Sequence, residues 1–331
     1  MPVWLPHFPR FQGGYHCRTR EKCHSITTRQ WNQRYLNYLN SWTMDATGVS
    51  INTDWHFHTD MEQNRFIKAV YESEPGKLNY ILGEGKGDPL LMIHGLGSDL
   101  LNYVYLARLL PAKLVIPDLL GFGMSDKPDD FSYSILDQSR TLLGLMDELG
   151  INHFNVLGHS AGGAIALGIA YLSPERIGKV ITGEPNLLQL HPSPSSISGR
   201  AVGISESEYI SGFQTILHDL LFPEGNSLSD MHYAGSLRMS SPRAMYRTSL
   251  ALSSMREFDA WKEFTMRSSL VMVGEHSVVA GNRSVTMERV LSSGVLLEVI
   301  AHSGHDMLLD NPKGTAEALS RVISNCDPND K

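Results

Sequence analysis

Ser160 stands in the run Gly158-His159-Ser160-Ala161-Gly162, which follows a short apolar stretch and opens a helical one. Gly-x-Ser-x-Gly alone is a common pattern, but a buried strand before it and a helix after it make it a nucleophile elbow. The serine then sits in a strained turn with its hydroxyl projecting from the sheet. The flanking glycines let neighbouring backbone approach without a Cβ clash. The helix that follows aims its first N–H groups at any oxyanion formed on an attacked carbonyl. The chemistry this predicts is nucleophilic attack by Ser160 on an acyl carbon.

Three further segments carry chemistry-bearing residues. His94-Gly95-Leu96-Gly97-Ser98 comes directly after the apolar run Pro89–Ile93. A loop at that place supplies the second oxyanion donor, here the N–H of Leu96 beside that of Ala161. His94 reads as a structural histidine whose ring holds the loop. Pro117 to Pro128 is a glycine-rich turn in which Asp118 and Asp126 read as turn formers. His302-Ser303-Gly304-His305-Asp306 follows the last apolar run and precedes the last helical one.

The elements that must position these residues are readable from period and punctuation. Phe66–Tyr71 and Leu78–Leu82 predict an opening strand pair around a turn at Glu74-Pro75-Gly76. Pro89–Ile93, Lys113–Ile116, His153–Leu157, Lys179–Thr182, Ser269–Val273 and Val295–Ile300 are strand-sized apolar runs of the kind buried on both faces. Leu101–Leu110, Ser132–Leu149 (capped by Gly150), Gly162–Leu172 and Thr315–Asn325 predict helices. Strands alternating with helices imply an α/β fold, a mainly parallel sheet with helices on both faces. Residues 185–267 carry no buried-strand pattern and include helical runs at Glu206–Leu221 and Pro242–Met255. They are expected to form an inserted helical lid above the carboxyl ends of the strands, where ligands bind in open α/β sheets. The core is then 61–184 with 268–331. Residues 1–60, with four of the five tryptophans and no sustained period, are expected to be a loosely ordered extension.

In the order and spacing of the His94-Gly95 loop, the Gly121-x-Gly123-x-Ser125 turn, the Ser160 elbow and the Gly304-His305 pair, the chain from about residue 66 onward resembles the α/β-hydrolase family. The resemblance implies that His305 is the histidine of a catalytic triad, taking the Ser160 proton and later giving it to the leaving group.

The triad carboxylate departs from the usual pattern. Many relatives carry it after the strand matching Ser269–Val273 in a Gly-Glu-x-Asp sequence, but this chain reads Gly274-Glu275-His276-Ser277. Others, such as the haloalkane dehalogenases, take it from the end of the preceding strand, where this chain has Thr182-Gly183-Glu184-Pro185. A carboxylate at a buried-strand exit is expensive without a partner, so Glu184 is favoured over a solvated Glu275. Both obey the family's Ser–acid–His order.

A serine at position 160 argues against dehalogenase and epoxide-hydrolase chemistry, which need an aspartate there. The expected activity is hydrolysis of a small, apolar carboxylic ester. The alternatives are a C–C bond hydrolase of the diketone-cleaving type and a small-ligand receptor on the same fold. With 19% charged residues, a net charge of −7 and no basic stripe, no nucleic-acid partner is expected. Three scattered cysteines fit a reducing, cytoplasmic compartment, and the apolar runs are too short to span a membrane. No signal-like apolar segment stands at the N-terminus. No cofactor is expected, and His56-x-His58-x-Asp60 reads as a polar segment rather than a metal site.

Overall fold

The computed structural model describes residues 65–185, 198–221, 228–254, 257–279 and 290–323. An eight-stranded sheet runs through them: β1 Phe66–Ser73, β2 Gly76–Gly83, β3 Lys86–Ile93, β4 Ala112–Pro117, β5 Phe154–His159, β6 Ile177–Gly183, β7 Ser268–Gly274 and β8 Leu297–Ile300. Its order is β1-β2-β4-β3-β5-β6-β7-β8. The first two strands pair antiparallel, as do β2 and β4, and every other neighbouring pair is parallel. Each expected strand is present, extended by up to a few residues or trimmed at its ends. Every residue of β5 is buried, as a strand between two parallel neighbours with helices over both faces requires.

Two sets of helices cover the sheet. Helices α1 (Ile135–Glu148), α2 (Ala161–Leu172) and α3 (Ala260–Arg267) pack together, with α2 touching both others. Val104–Leu109, Met307–Asp310 and Pro312–Ile323 form the second set. Helix α1 starts at Ser134, whose side chain accepts from the Asp137 N–H, and is followed by Gly150 at φ +65°. This is the cap chemistry that serine and glycine serve. The predicted helix Leu101–Leu110 is instead a 3₁₀ turn over Leu100–Tyr103 followed by α-helix from Val104. The Asp99 carboxylate accepts from the Leu101 N–H and fixes that tight start.

Between β6 and β7 the described residues are helical, with α4 (Glu206–Leu221), α5 (Leu228–Arg238) and α6 (Pro242–Ser254) preceding α3. Glu206 ties two of them together: its carboxylate accepts from Arg243 Nε at 2.7 Å and Arg247 Nε at 2.9 Å. The Arg247 hydrogen bond leads the effects that hold the Glu206 carboxyl below its usual range. Arg247 also donates to the Phe131 carbonyl at 2.6 Å, which fastens α6 to the loop before α1. The expected extension, residues 1–60, lies outside the described residues.

Candidate active site

Ser160 sits at φ 54°, ψ −117°, between the end of β5 and the start of α2. A non-glycine residue in the left-handed region carries strain that the surroundings must hold. Here the Ser160 N–H donates to the Gly183 carbonyl at 2.8 Å. Tight backbone packing does the rest. A Cβ on Gly158 would collide with the Gly162 carbonyl, and one on Gly162 with the Ile93 carbonyl. Ala161 is the first residue of α2, so its N–H has no acceptor within the helix.

His305, in the turn between β8 and Met307, reaches Ser160 from across the sheet. The Ser160 hydroxyl lies 3.1 Å from His305 Nε2, and His305 Nδ1 lies 3.4 Å from Glu184 Oε2. Glu184 follows β6 at φ 47°, and its side chain is inaccessible to solvent. Its other oxygen accepts from the Gly274 N–H at 2.8 Å, while its own N–H donates to the Met272 carbonyl. The 3.4 Å separation is longer than a well-formed N–H···O bond.

Glu275 stands elsewhere. It begins the short helix Glu275–Val279, and its Oε2 accepts from the His302 N–H at 2.8 Å. Its side chain is half exposed, yet the sequence reading of a carboxylate merely in solvent missed this bond to the loop that leads to His305.

The His94–Ser98 loop packs on the elbow. A Cβ on Gly95 would approach the Ser160 Cβ at 3.1 Å, which puts the loop carrying Leu96 against the serine. His94 is fully buried. Its Nδ1–H donates to the Gly95 carbonyl at 2.8 Å, and its Nε2 accepts from the Leu119 N–H at 3.0 Å. One donor and one acceptor satisfy a neutral ring, and burial pushes its pKa down. Asp118 is also buried and serves the turn. Its carboxylate accepts from the Leu100 N–H, the Met124 N–H and Asn79 Nδ2, all within 2.9 Å. Asp126 accepts from the Lys77 N–H.

Several polar residues at the site were not singled out in the sequence. His159 Nε2–H donates to the His305 carbonyl at 2.7 Å, so the elbow itself holds the histidine's backbone. The signal was its place inside the Gly-x-Ser-x-Gly run. His232, on α5, is buried with Nε2 3.4 Å from Ser98 Oγ and 3.5 Å from Asp99 Oδ1. Burial pushes its pKa down to about 4, so it is neutral at pH 7. Burial also raises the Asp306 carboxyl, against the opposing pull of His232 and His305. No local pattern marks a histidine on a helix of mixed composition as one that docks against a loop 134 residues away. Among the described residues no cluster of three or more His, Cys, Asp or Glu is placed to hold a metal ion. His56, His58 and Asp60 lie outside those residues. No described helix is long and apolar enough to cross a membrane.

The family described as alpha/beta hydrolase fold matches residues 88–258, more than half of the chain. Among characterised proteins the chain is similar to haloalkane dehalogenase 2 of Mycobacterium tuberculosis, 31% identical over 129 residues, 38% of this chain and 45% of that one. It is also similar to lipase 1 of Psychrobacter immobilis, 40% identical over 114 residues, 34% of this chain and 36% of that one. A third is 2-hydroxymuconate semialdehyde hydrolase of Pseudomonas sp., 34% identical over 102 residues, 29% of this chain and 36% of that one. The chain thus matches less than half the length of each of these relatives. The solved esterase from Exiguobacterium antarcticum superposes with a TM-score of 0.64 at 18% identity, over 78% of this chain and 100% of that one. The N-acyl homoserine lactonase AidH gives 0.62 at 20% identity, over 80% and 99%. At such identities the superpositions speak to the fold alone. Together with the matched family, they lead to one conclusion: the chain belongs to the alpha/beta hydrolase fold family.

Proposed function

We propose that the protein is a serine hydrolase that cleaves a small, apolar carboxylic ester through an acyl-enzyme, with Ser160, His305 and Glu184 as its triad. The observation that carries this reading is the relay of contacts from Ser160 Oγ to His305 Nε2 and from His305 Nδ1 to Glu184 Oε2. His305 Nε2 takes the Ser160 proton as the oxygen attacks the ester carbonyl. The Leu96 and Ala161 N–H groups receive the oxyanion. His305 then gives the proton to the departing alcohol, and a water activated by the same ring clears the acyl group. Glu184 keeps the His305 proton on Nδ1 and stabilises the imidazolium that forms. Helices α4 to α6 serve as a lid over this chemistry, in the insertion spanning 185–267. A cytoplasmic location fits the sparse cysteines.

The similarity to 2-hydroxymuconate semialdehyde hydrolase favours C–C bond hydrolysis as a second reading. A graded series of p-nitrophenyl esters, run beside a vinylogous diketone, separates the two. Burst release of p-nitrophenol from a short-chain ester, with no diketone turnover, is the expected result. Absence of ester turnover would overturn the ester reading, and silence on both substrates would favour a receptor.

Residues 1–60 act as an extension that catalysis does not need, because the sheet begins at Phe66 and every proposed catalytic group lies after it. A chain starting near residue 61 is expected to hydrolyse the same ester within about threefold of the full chain. Loss of the cooperative melt on truncation would make the segment part of the fold instead.

A further inference from the structure

We propose that Tyr233, on α5, is a specificity-determining residue whose hydroxyl donates a hydrogen bond to a second oxygen on the substrate's acyl group. The inference rests on the ester-hydrolase reading and deepens it by naming an acyl class. Gly97 lies one residue beyond Leu96, the proposed oxyanion donor. A Cβ built on Gly97 would stand 3.2 Å from the Tyr233 hydroxyl, 2.7 Å from Leu237 Cδ1 and 3.4 Å from Met245 Cε. The phenol therefore stands beside Gly97 of the loop that carries the proposed oxyanion donor, next to the side chains of Leu237 and Met245.

Helix α5 is firmly held there, since Ser236 Oγ donates to the Gly97 carbonyl at 2.9 Å and His232 docks on Ser98. Tyr233 is partly exposed, and its hydroxyl makes no hydrogen bond with another side chain or backbone group among the described residues. A phenol that is half covered and still has a donor to give can take an acceptor that enters from solvent. Tyr209, fully buried on α4, also has no hydrogen-bond partner among the described residues, and it lies within electrostatic reach of Tyr233. Burial pushes the Tyr233 phenol well above its usual range, so it stays a donor at neutral pH.

A substrate oxygen is the acceptor that fits. The scissile carbonyl is already served by the Leu96 and Ala161 N–H groups. The alcohol oxygen must remain within reach of His305 Nε2. What remains for Tyr233 is a hydroxyl or keto oxygen on the acyl chain, a few bonds from the carbonyl.

The test is an isosteric pair, p-nitrophenyl 3-hydroxybutanoate and p-nitrophenyl 3-methylbutanoate, each rate divided by its spontaneous hydrolysis rate. The wild-type enzyme is expected to favour the hydroxy ester by about tenfold in kcat/KM, the effect of one hydrogen bond of roughly 1.4 kcal/mol. In Tyr233→Phe the ratio should collapse to within about twofold of unity. A merely structural phenol would lower both rates together and leave the ratio intact, which overturns the proposal. A wild-type ratio near unity overturns it as well, while leaving the ester reading in place. If the wild-type enzyme hydrolyses neither ester, the ester reading fails and takes this inference with it.

Discussion

Ser160→Ala is expected to remove ester hydrolysis while leaving the thermal melt of the protein unchanged. The substitution deletes one oxygen and keeps the Cβ, so the close packing of Gly95 on the Ser160 Cβ survives. The strained backbone at φ 54° is held by the Ser160 N–H bond to Gly183, which alanine also makes. Loss of a triad nucleophile lowers turnover on the order of 10⁶-fold. The residual rate would come from the two N–H groups proposed to receive the oxyanion and from binding. Steady-state and burst release of p-nitrophenol are the measurements. Turnover within tenfold of wild type would sink the serine mechanism and leave His305 activating water directly.

Glu184→Gln should be the next most damaging change, at roughly 10⁴-fold in turnover. Both carboxylate oxygens are engaged as acceptors, one by the Gly274 N–H and one by His305 Nδ1. A glutamine has one acceptor to offer. If its carbonyl keeps the Gly274 bond, its NH₂ faces Nδ1 and drives the imidazole proton to Nε2, where it blocks acceptance from Ser160. Glu275→Gln should change turnover by less than about threefold, because Glu275 accepts one bond from the His302 N–H, and an amide oxygen can replace it. Assayed together on one ester, a large loss at Glu275 with normal turnover at Glu184 would move the acid to the later strand. Losses at neither would reduce the triad to a Ser–His pair.

Where one structural level determines a residue's neighbours, the sequence was sufficient. Strand β5 reads as a buried run because all six of its residues are buried, and the elbow reads as an elbow because strand, glycines and helix are contiguous. His94 was legible as a loop holder and Asp118 as a turn residue, since His94 bonds its own neighbour Gly95 and Asp118 accepts from Met124 six residues on. Helix α5 was not foreseen. Its residues are polar and apolar without a clear helical stripe, because it packs on the loops above the sheet rather than on one apolar face. Helix α3 did carry a start signal, Asp259, whose side chain accepts from the Lys262 N–H. The roles around Glu275, His232 and Tyr233 depend on contacts across more than twenty residues of sequence, and no spacing rule encodes them.

The way the chain crosses the sheet has a kinetic consequence. Ser160 and His305 are 145 residues apart in sequence, and His305 and Glu184 are 121 apart. They meet because β5, β6, β7 and β8 lie side by side, in chain order, with β3 on the other side of β5. Each parallel pairing closes a long loop whose entropy must be met before its contacts form, which makes such topologies slow to assemble. The side chains of the proposed triad therefore converge only when the last strand docks. With the proposed triad, recovery of ester hydrolysis during refolding is expected to trail the gain of helix, and a nascent chain that ends before residue 305 carries Ser160 without its proposed base.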